Sequence, residues 1–234
     1  ENEAQRPAVP PLDLSKLGSL GDQPAIDVRT ARRAWESGAL PDDKTDVCAL
    51  PKGHRPVLDK MNLAFPAGAA QAPPKLLCIS YTVAKEHTGA VALLRKTWAK
   101  RCDGHLVVST ETDESISAIG LAHAGEETYN NIWQKIRSTW GYVARHYYED
   151  FDYFVIGGDD MFVVVEALKR YLSSTEMDRA TEGGTKPVFL GRRFKLPDGN
   201  IFNSGGAGYV LNRAALRAVV DVLPTCRAGQ VAFH

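Results

Sequence analysis

Two adjacent carboxylates follow an apolar run and a pair of glycines in this chain. Residues 153–156 have the composition of a buried strand, and Gly157, Gly158, Asp159 and Asp160 come directly after it. In an open α/β sheet, ligands bind beyond the carboxyl ends of the strands. Two carboxylates there can hold a hard divalent cation, and the cation can hold a diphosphate. The segment therefore suggests an enzyme that uses a nucleotide-activated substrate.

The same two aspartates also fit a purely structural explanation. An aspartate that follows a strand is favoured as a turn residue and as the N-cap of the next helix, because its side chain accepts hydrogen bonds from free backbone N–H groups. A metal site therefore needs support from other parts of the chain.

Two further segments contain residue types that could contact a ligand. Residues 191–195 place three cations within five positions. Residues 203–208 contain three glycines, which allow a backbone to approach a ligand closely. Each segment also has a simpler explanation, the first as a solvated basic loop and the second as a flexible turn.

Strands and helices alternate along the part of the chain that holds these segments. Apolar runs predict strands at residues 76–81, 106–109, 154–156, 188–190 and 208–211. Helical periodicity predicts helices at residues 89–101, 128–148, 161–172 and 213–223, the last one capped by Asn212. Residues 175–186 are polar and contain two glycines, which predicts an exposed loop. The alternation predicts an α/β domain with a largely parallel sheet.

The helix predicted at residues 128–148 has the clearest pattern. Apolar residues recur there at steps of three and four. They are Tyr129, Ile132, Trp133, Ile136, Trp140, Val143 and Tyr147. An aromatic stripe of this kind predicts packing against the core rather than a ligand site.

Residues 1–74 differ in composition from the rest and contain most of the 13 prolines. Only residues 30–37 show a helical pattern there. This composition predicts a largely irregular stem or linker that buries little surface, followed by a folded domain at residues 75–234.

The overall composition excludes some classes of protein. Lys plus Arg and Asp plus Glu number 28 each, so the formal net charge is zero and nothing favours nucleic-acid binding. No apolar run approaches the roughly 18–20 residues that cross a bilayer. The four cysteines form no Cys-x-x-Cys pair, so a zinc site is not expected. Cys78 and Cys102 flank a helix-sized segment, and their spacing is compatible with a disulfide or with reduced core thiols.

Taken together, the motifs resemble the fringe-like β1,3-glycosyltransferases, and among these the core 1 β1,3-galactosyltransferases most closely. The resemblance covers residues 76–226, about two-thirds of the chain. The matching residues, in the family's order and approximate spacing, are Leu77-Cys78, Thr97-Trp98-Ala99-Lys100-Arg101-Cys102, Trp133-Gln134-Lys135, Asp159-Asp160, Gly191-Arg192-Arg193-Phe194-Lys195 and Ser204-Gly205-Gly206-Ala207-Gly208-Tyr209-Val210-Leu211.

The resemblance implies a GT-A-type fold, a Rossmann-like mixed sheet flanked by helices. It implies an inverting enzyme that transfers galactose from UDP-galactose, with Mn²⁺ as cofactor, to N-acetylgalactosamine on Ser or Thr of a glycoprotein. The linkage would be β1,3, the core 1 step of mucin-type O-glycosylation. The resemblance also implies a type II membrane protein of the Golgi or ER, with the domain in the lumen and the anchor upstream of Glu1, and it allows a homodimer. An oxidising lumen favours a Cys78–Cys102 disulfide.

The family's motifs also imply roles for individual residues. Asp160 corresponds to the aspartate that coordinates the metal, and Asp159 to the one that orders the metal site. The expected nucleotide and donor contacts are Thr82, Arg95, Lys135 and Asp159. The expected lining of the donor–acceptor cleft is Arg192, Arg193, Phe194, Gly205 and Gly206.

The chain departs from the family in two places. The family's metal motif has three consecutive aspartates, and Gly158 stands where the first would be. Fewer carboxylates should bind a cation more weakly, although phosphate and water supply further ligands. The family's catalytic base, in a Glu-Asp pair, and a metal-binding histidine are expected C-terminal to His234.

Alternatives to a core 1 transferase stay open. A fringe-like β1,3-transferase with another donor sugar, such as N-acetylglucosamine or fucose, would differ in a few cleft contacts. A non-catalytic, chaperone-like relative would fit Gly158 and the absence of a base, whereas Asp160 favours a transferase. An unrelated α/β domain would require two specific motifs to coincide by chance.

Overall fold

A computed structural model describes residues 9–29 and 73–226. The strands are β1 (Leu76–Tyr81), β2 (Gly104–Ser109), β3 (Ala118–Gly120), β4 (Tyr153–Gly158), β5 (Phe189–Gly191), β6 (Arg193–Lys195), β7 (Ile201–Asn203) and β8 (Tyr209–Asn212). The α-helices are α1 (Ala92–Lys96), α2 (Ile132–Tyr147), α3 (Val165–Leu172), α4 (Thr175–Thr181) and α5 (Arg213–Val222). A π-helical turn lies at His87–Val91, and 3-10 turns lie at Leu14–Leu17, Ala84–Glu86, Ala99–Arg101, Glu114–Ile116 and Tyr129–Asn131.

Six of the strands form one mixed sheet in the order β3-β2-β1-β4-β8-β5. Strands β1 to β4 are parallel to one another, whereas β8 runs antiparallel to both of its neighbours, β4 and β5. Every residue of β2 and β4 is buried, as expected for strands covered on both faces. The α/β class predicted from the sequence, with a mixed sheet flanked by helices, is confirmed.

Alternate residues of β1 and β4 face two separate cores, because side chains of a strand point to opposite faces of its sheet. The first core lies under α2 and α5 and contains Leu77, Ile79, Phe154, Ile136, Trp140, Val143 and Leu216. The second core lies under α1 and α3 and contains Leu76, Cys78, Val155, Leu94, Trp98, Val165 and Leu172. Most of the stripe predicted on α2 is therefore core, but Tyr129 is 88% exposed, since it lies in the 3-10 turn before the helix.

Residues 9–29, which we call the N-terminal clasp, pack across α2 and join the first core. Leu17 and Val28 are buried there. The prediction that the stem buries little surface is therefore wrong for residues 9–29, because side chains of α2 hydrogen-bond the backbone of an otherwise irregular segment. Residues 1–8 and 30–72 of the predicted stem, including the helix expected at residues 30–37, lie outside the described residues, and the domain boundary stays a prediction.

Three other elements differ from the sequence prediction. The loop expected at residues 175–186 contains α4, which Ser174 caps by accepting a hydrogen bond from the N–H of Met177. A short helix with little buried surface gives no apolar periodicity, so the pattern missed it. The helix expected at residues 161–172 begins only at Val165, and Phe162 in the preceding segment is 70% exposed. The helix expected at residues 89–101 is divided into the π turn, α1 and a 3-10 turn.

The Cys78 and Cys102 side chains form a disulfide that ties β1 to the turn before β2. Cys226 is the only free cysteine within residues 9–29 and 73–226, and it is exposed. Cys48 lies outside these ranges. Among the helices that the structure describes, none combines the length and the apolar character that a membrane span requires.

Candidate active site

The carboxyl ends of β1 and β4 meet where the order of the sheet reverses. Strand β1 pairs with β2 on one side and with β4 on the other, which is the arrangement that opens a ligand crevice in α/β sheets. Because β8 is antiparallel, its first residue, Tyr209, lies beside Ile156 near the end of β4. Gly191, the last residue of β5, pairs with Tyr209. The sheet thus brings the two aspartates and both candidate loops to one edge.

Asp159 is held by the residue that follows β1. Its Oδ2 accepts a hydrogen bond from Oγ1 of Thr82, with 2.5 Å between the oxygens. Thr82 is only 6% exposed, and its N–H donates to the carbonyl of Val108 in β2. A buried, backbone-anchored hydroxyl therefore fixes one oxygen of the carboxylate, and the other oxygen remains for a ligand.

The Asp160 side chain lies over Gly158. A Cβ atom at position 158 would be 2.7 Å from Oδ1 of Asp160, so this carboxylate occupies the space that a side chain there would need. Tyr81, the last residue of β1, lies nearby, and its pKa is raised by burial and then by the negative charges of Asp160 and Asp159. The glycine thus removes one carboxylate of the expected motif and leaves the remaining two adjacent to each other.

The described residues can hold a metal ion only together with its ligand. In residues 9–29 and 73–226, no three His, Cys, Asp or Glu side chains lie close enough to hold an ion by themselves. Two carboxylates leave most coordination positions of a hard cation such as Mn²⁺ open for diphosphate oxygens and water. The donor set therefore fits a cation that arrives with a diphosphate.

Lys135 lies behind the crevice rather than on its surface. Its side chain is 2% exposed, and its Nζ donates to the carbonyl of Thr82 at 2.5 Å and to the carboxylate of Glu127 at 2.8 Å. Glu127 also contacts Nε2 of His123 at 2.8 Å. Burial acts to raise the pKa of Glu127, but the hydrogen bonds from Lys135 and His123 outweigh it and hold this pKa below its usual value. In the structure the ammonium of Lys135 therefore has two protein partners, and the nucleotide contact expected from the sequence stays a prediction.

Arg95 lies beside β2 and the loop that follows it. Its Nη2 donates to the carbonyl of Ser115 at 3.4 Å. Burial lowers the pKa of its guanidinium, although the negative charge of Asp113 acts to raise it. The neighbouring His105 is fully buried, and burial together with the Arg95 charge lowers its pKa to about 3. Within the described ranges, the Nη1 of Arg95 is buried and has no hydrogen-bond partner.

The basic segment forms a two-stranded hairpin, β6–β7, at the same edge. Phe194 lies opposite Phe202, and the two rings stack with their centroids 5.7 Å apart. The guanidinium of Arg192 lies 5.6 Å from the centroid of the Phe194 ring, within cation–π range. All three residues of β6, including Arg193, are exposed. The hairpin therefore presents aromatic and cationic groups to solvent beside the crevice.

The glycine-rich segment forms the turn that enters β8. The N–H of Gly208 donates to the carbonyl of Gly205 at 3.0 Å. A Cβ at Gly205 would meet no atom within 4 Å, and one at Gly206 would meet only the Ser204 hydroxyl at 3.9 Å, so a ligand can approach this backbone. Gly208 differs, because its φ is +70° and a Cβ there would lie 2.2 Å from Sδ of Met161.

Sequence reasoning missed three residues of this region. Tyr81 was assigned to a strand only, although its position before Thr82 could have marked it. Glu127 lies in a polar loop with no periodicity, so no pattern pointed to it. Tyr209 is a core residue whose hydroxyl accepts a hydrogen bond from Nε1 of Trp140 at 3.2 Å, and burial raises its pKa to about 12.

Comparisons with known proteins find similarity to two curated proteins. No family model matches the chain. Over 128 residues, 55% of this chain, it is 34% identical to glycoprotein-N-acetylgalactosamine 3-beta-galactosyltransferase 1 of Xenopus laevis and covers 33% of that protein. Over 264 aligned positions, 98% of this chain, it is 24% identical to chondroitin sulfate synthase 3 of Mus musculus and covers 29% of that protein. The chain thus spans about a third of the length of either relative.

Proposed function

We propose that this chain, a relative of the β1,3-glycosyltransferases with a GT-A-like fold, is an inverting galactosyltransferase. It transfers galactose from UDP-galactose in β1,3 linkage to N-acetylgalactosamine on Ser or Thr of glycoproteins. One arrangement supports this function most directly: Asp159 and Asp160 directly follow β4 at the switch point of the sheet, and Thr82 fixes Asp159. The printed name of the Xenopus laevis relative supports the choice of donor and acceptor.

In this proposal the carboxylates hold the metal ion, and neighbouring groups contact the nucleotide sugar. Asp160 and the free oxygen of Asp159 hold Mn²⁺, which supplies positive charge opposite the leaving diphosphate. Arg95 stays a candidate for a nucleotide contact, which would require its buried Nη1 to become exposed on binding. The open backbone of Gly205 and Gly206 allows the sugar to lie close to the turn before β8.

The acceptor is assigned to the hairpin side of the crevice. The Phe194 ring offers a face for the C–H groups of a sugar, and Arg192 and Arg193 offer hydrogen bonds to its hydroxyls. The Cys78–Cys102 disulfide supports a domain in the lumen of the Golgi or ER, where disulfides persist.

A chaperone-like, non-catalytic role is the second candidate, and Gly158 is the observation that favours it. The glycine leaves two carboxylates where the resembling family has three. A non-catalytic relative would have no need of a donor site, so it should bind neither Mn²⁺ nor the nucleotide sugar. Donor binding therefore separates the two functions.

The test is a calorimetric titration of UDP-galactose into the protein, with and without Mn²⁺. We expect binding that requires Mn²⁺ and that is lost in Asp160→Ala. Asp221→Ala serves as the matched control, because this aspartate of α5 is ion-paired with Lys16 of the clasp and lies outside the site. Folded protein that binds no UDP-galactose would contradict the proposal and favour the chaperone. Repeating the titration with UDP-N-acetylglucosamine and GDP-fucose tests the choice of donor sugar.

A further inference from the structure

A continuous chain of polar contacts runs from the loop before α2 to the carboxylate of Asp159. It begins at His123, passes through Glu127 and the ammonium of Lys135, and reaches the Thr82 carbonyl. The Thr82 hydroxyl then contacts Asp159. Each contact is between 2.5 and 2.8 Å long. The position of one site carboxylate is thus coupled to a lysine that does not touch it.

Lys135 is buried, with 2% of its side chain exposed, and its ammonium is held by protein groups. A buried ammonium is costly unless a charged partner and further hydrogen bonds compensate it. Glu127 is that partner, and the Thr82 carbonyl is the further acceptor. The pair therefore serves either the general stability of the domain or the position of Thr82.

The location of the pair favours the second role. Lys135 is in the first turn of α2, and its ammonium bonds the residue at which the chain leaves β1. A second lysine–carboxylate pair, the partly buried Lys169 and Asp103, lies at the opposite end of the sheet, where Asp103 accepts the N–H of Leu76, the first residue of β1. The two pairs have similar chemistry, but only the Lys135–Glu127 pair is connected to Asp159, through Thr82.

We propose that Lys135, with Glu127 as its counterion, is a positioning residue that fixes the Thr82–Asp159 pair for binding of a metal–diphosphate. The inference rests on the proposed function, because it assumes that Asp159 and Asp160 hold a cation together with UDP. Groups that orient metal ligands typically change metal affinity about 10–100-fold when they are replaced.

The test measures the affinity for Mn²⁺ in the presence of UDP, by calorimetric titration of Lys135→Met and Glu127→Gln. We expect affinity about 10–100-fold weaker than in the wild type for Lys135→Met, and a loss in the same direction for Glu127→Gln. Lys169→Met is the matched control and should leave the affinity unchanged. If Lys135→Met does not fold, Glu127→Gln decides, because it keeps the size of the side chain; wild-type affinity in that variant would overturn the inference.

A double-mutant cycle separates positioning from general stability. Thr82→Val removes the hydroxyl that holds Asp159 and keeps the shape of the side chain. If Lys135 acts through Thr82, Lys135→Met should weaken Mn²⁺ binding much less in the Thr82→Val protein than in the wild type. Additive losses would overturn the inference.

A metal-free measurement gives an independent readout. Without Mn²⁺, Lys135→Met should speed amide hydrogen exchange of Thr82 and Asp159 selectively, whereas Lys169→Met should not. Equal exchange rates in the wild type and Lys135→Met would overturn the inference. Failure of the wild type to bind Mn²⁺ with UDP would remove the proposed function and the inference together. Normal binding by both the wild type and Lys135→Met would remove the inference alone.

Discussion

The N-terminal clasp and the β6–β7 hairpin both lie outside the main sheet, but they differ in how far their groups are buried and hydrogen-bonded by the rest of the domain. The clasp has almost no regular structure, yet Arg145 and Tyr147 of α2 hydrogen-bond its carbonyls and Leu17 lies in the core. The hairpin has regular strands, yet Ile201 is 59% exposed and Phe194 is 44% exposed. Regular structure is thus a poor guide to which segment is packed, and the unpacked one lies beside the candidate site.

This difference suggests a division between stability and binding. An isolated two-stranded hairpin is marginally stable in water, so its exposed aromatic stack is better explained by a ligand than by folding. Residues that bind ligands are commonly found in the less stable parts of a protein. Four tests, made on the clasp and its contacts, on the hairpin, or on both, check this division, from the largest expected change in stability to the smallest.

The largest change is expected where the clasp touches α2 most closely. Gly21 has a φ of +70°, and a Cβ there would lie 2.1 Å from the backbone nitrogen of Tyr142. Gly18 also has a positive φ, +54°, but a Cβ there would meet no atom within 4 Å. Gly21→Ala should therefore lower the free energy of unfolding by about 2–6 kcal/mol, the sum of backbone strain and overpacking, whereas Gly18→Ala should lower it by the strain alone, about 1–3 kcal/mol; urea denaturation measures both. Equal losses would show that the clasp is not packed as described.

The second comparison removes one apolar side chain from each region. Leu17→Ala should lower the free energy of unfolding by about 2–4 kcal/mol, because it leaves a cavity in the first core. Ile201→Ala in the hairpin should change it by less than about 0.5 kcal/mol. Urea denaturation of both variants checks this, and a large loss for Ile201→Ala would mean that the hairpin is part of the folding core.

The third comparison uses pH. His105 donates its backbone N–H to Val28 of the clasp, and its side chain has a pKa of about 3 in the folded protein against 6.5 ordinarily. Because the folded pKa is depressed, the unfolded chain gains a proton first as pH falls, and stability present above pH 6.5 is lost below it.

Between pH 6.5 and 4.5, where most carboxyl groups are still charged, we expect a loss of about 1.4 kcal/mol per pH unit from His105. Urea denaturation at several pH values measures the slope. His146, whose pKa burial also lowers, should add in the same direction. His105→Gln should remove most of the slope, and an unchanged slope would contradict the burial of this histidine.

The smallest change in stability is expected for Phe194→Ala. The free energy of unfolding should change by less than about 0.5 kcal/mol. Binding of a synthetic glycopeptide that carries N-acetylgalactosamine, in the presence of UDP and Mn²⁺, should weaken about fivefold, which corresponds to the loss of one aromatic contact. A variant that is destabilised but binds the glycopeptide normally would reverse the proposed roles of the two regions.

The sequence was sufficient for β1, β2, β4, β5 and β8 and for α2 and α5, because continuous apolar runs and clear helical periodicity reflect burial directly. It failed for the clasp, whose packing depends on carbonyl groups that every residue has and on partners in α2 more than a hundred positions away. It also failed for α4, where a short polar helix depends on the Ser174 cap and one buried methionine.

The candidate site shows the same limit. The chemistry of Asp159, Asp160 and Thr82 could be predicted, and the sheet brings these residues together. The position of Lys135 could not be predicted, because helical spacing placed it beside the buried stripe but gave no information on Glu127, eight residues earlier in a loop. Gly158 was identified as a lost carboxylate, whereas only the structure shows Asp160 lying in the vacated space.

The central claim is that the carboxyl edge of β1 and β4, and not any other surface, binds Mn²⁺ together with UDP. Because Mn²⁺ is paramagnetic, it broadens the NMR signals of nearby amides, so titration into isotope-labelled protein with UDP locates the ion. We predict selective broadening of Thr82, Gly158, Asp159 and Gly205, with the clasp amides of residues 14–28 unaffected. Broadening that is uniform, or that is centred on the clasp face, would contradict the claim.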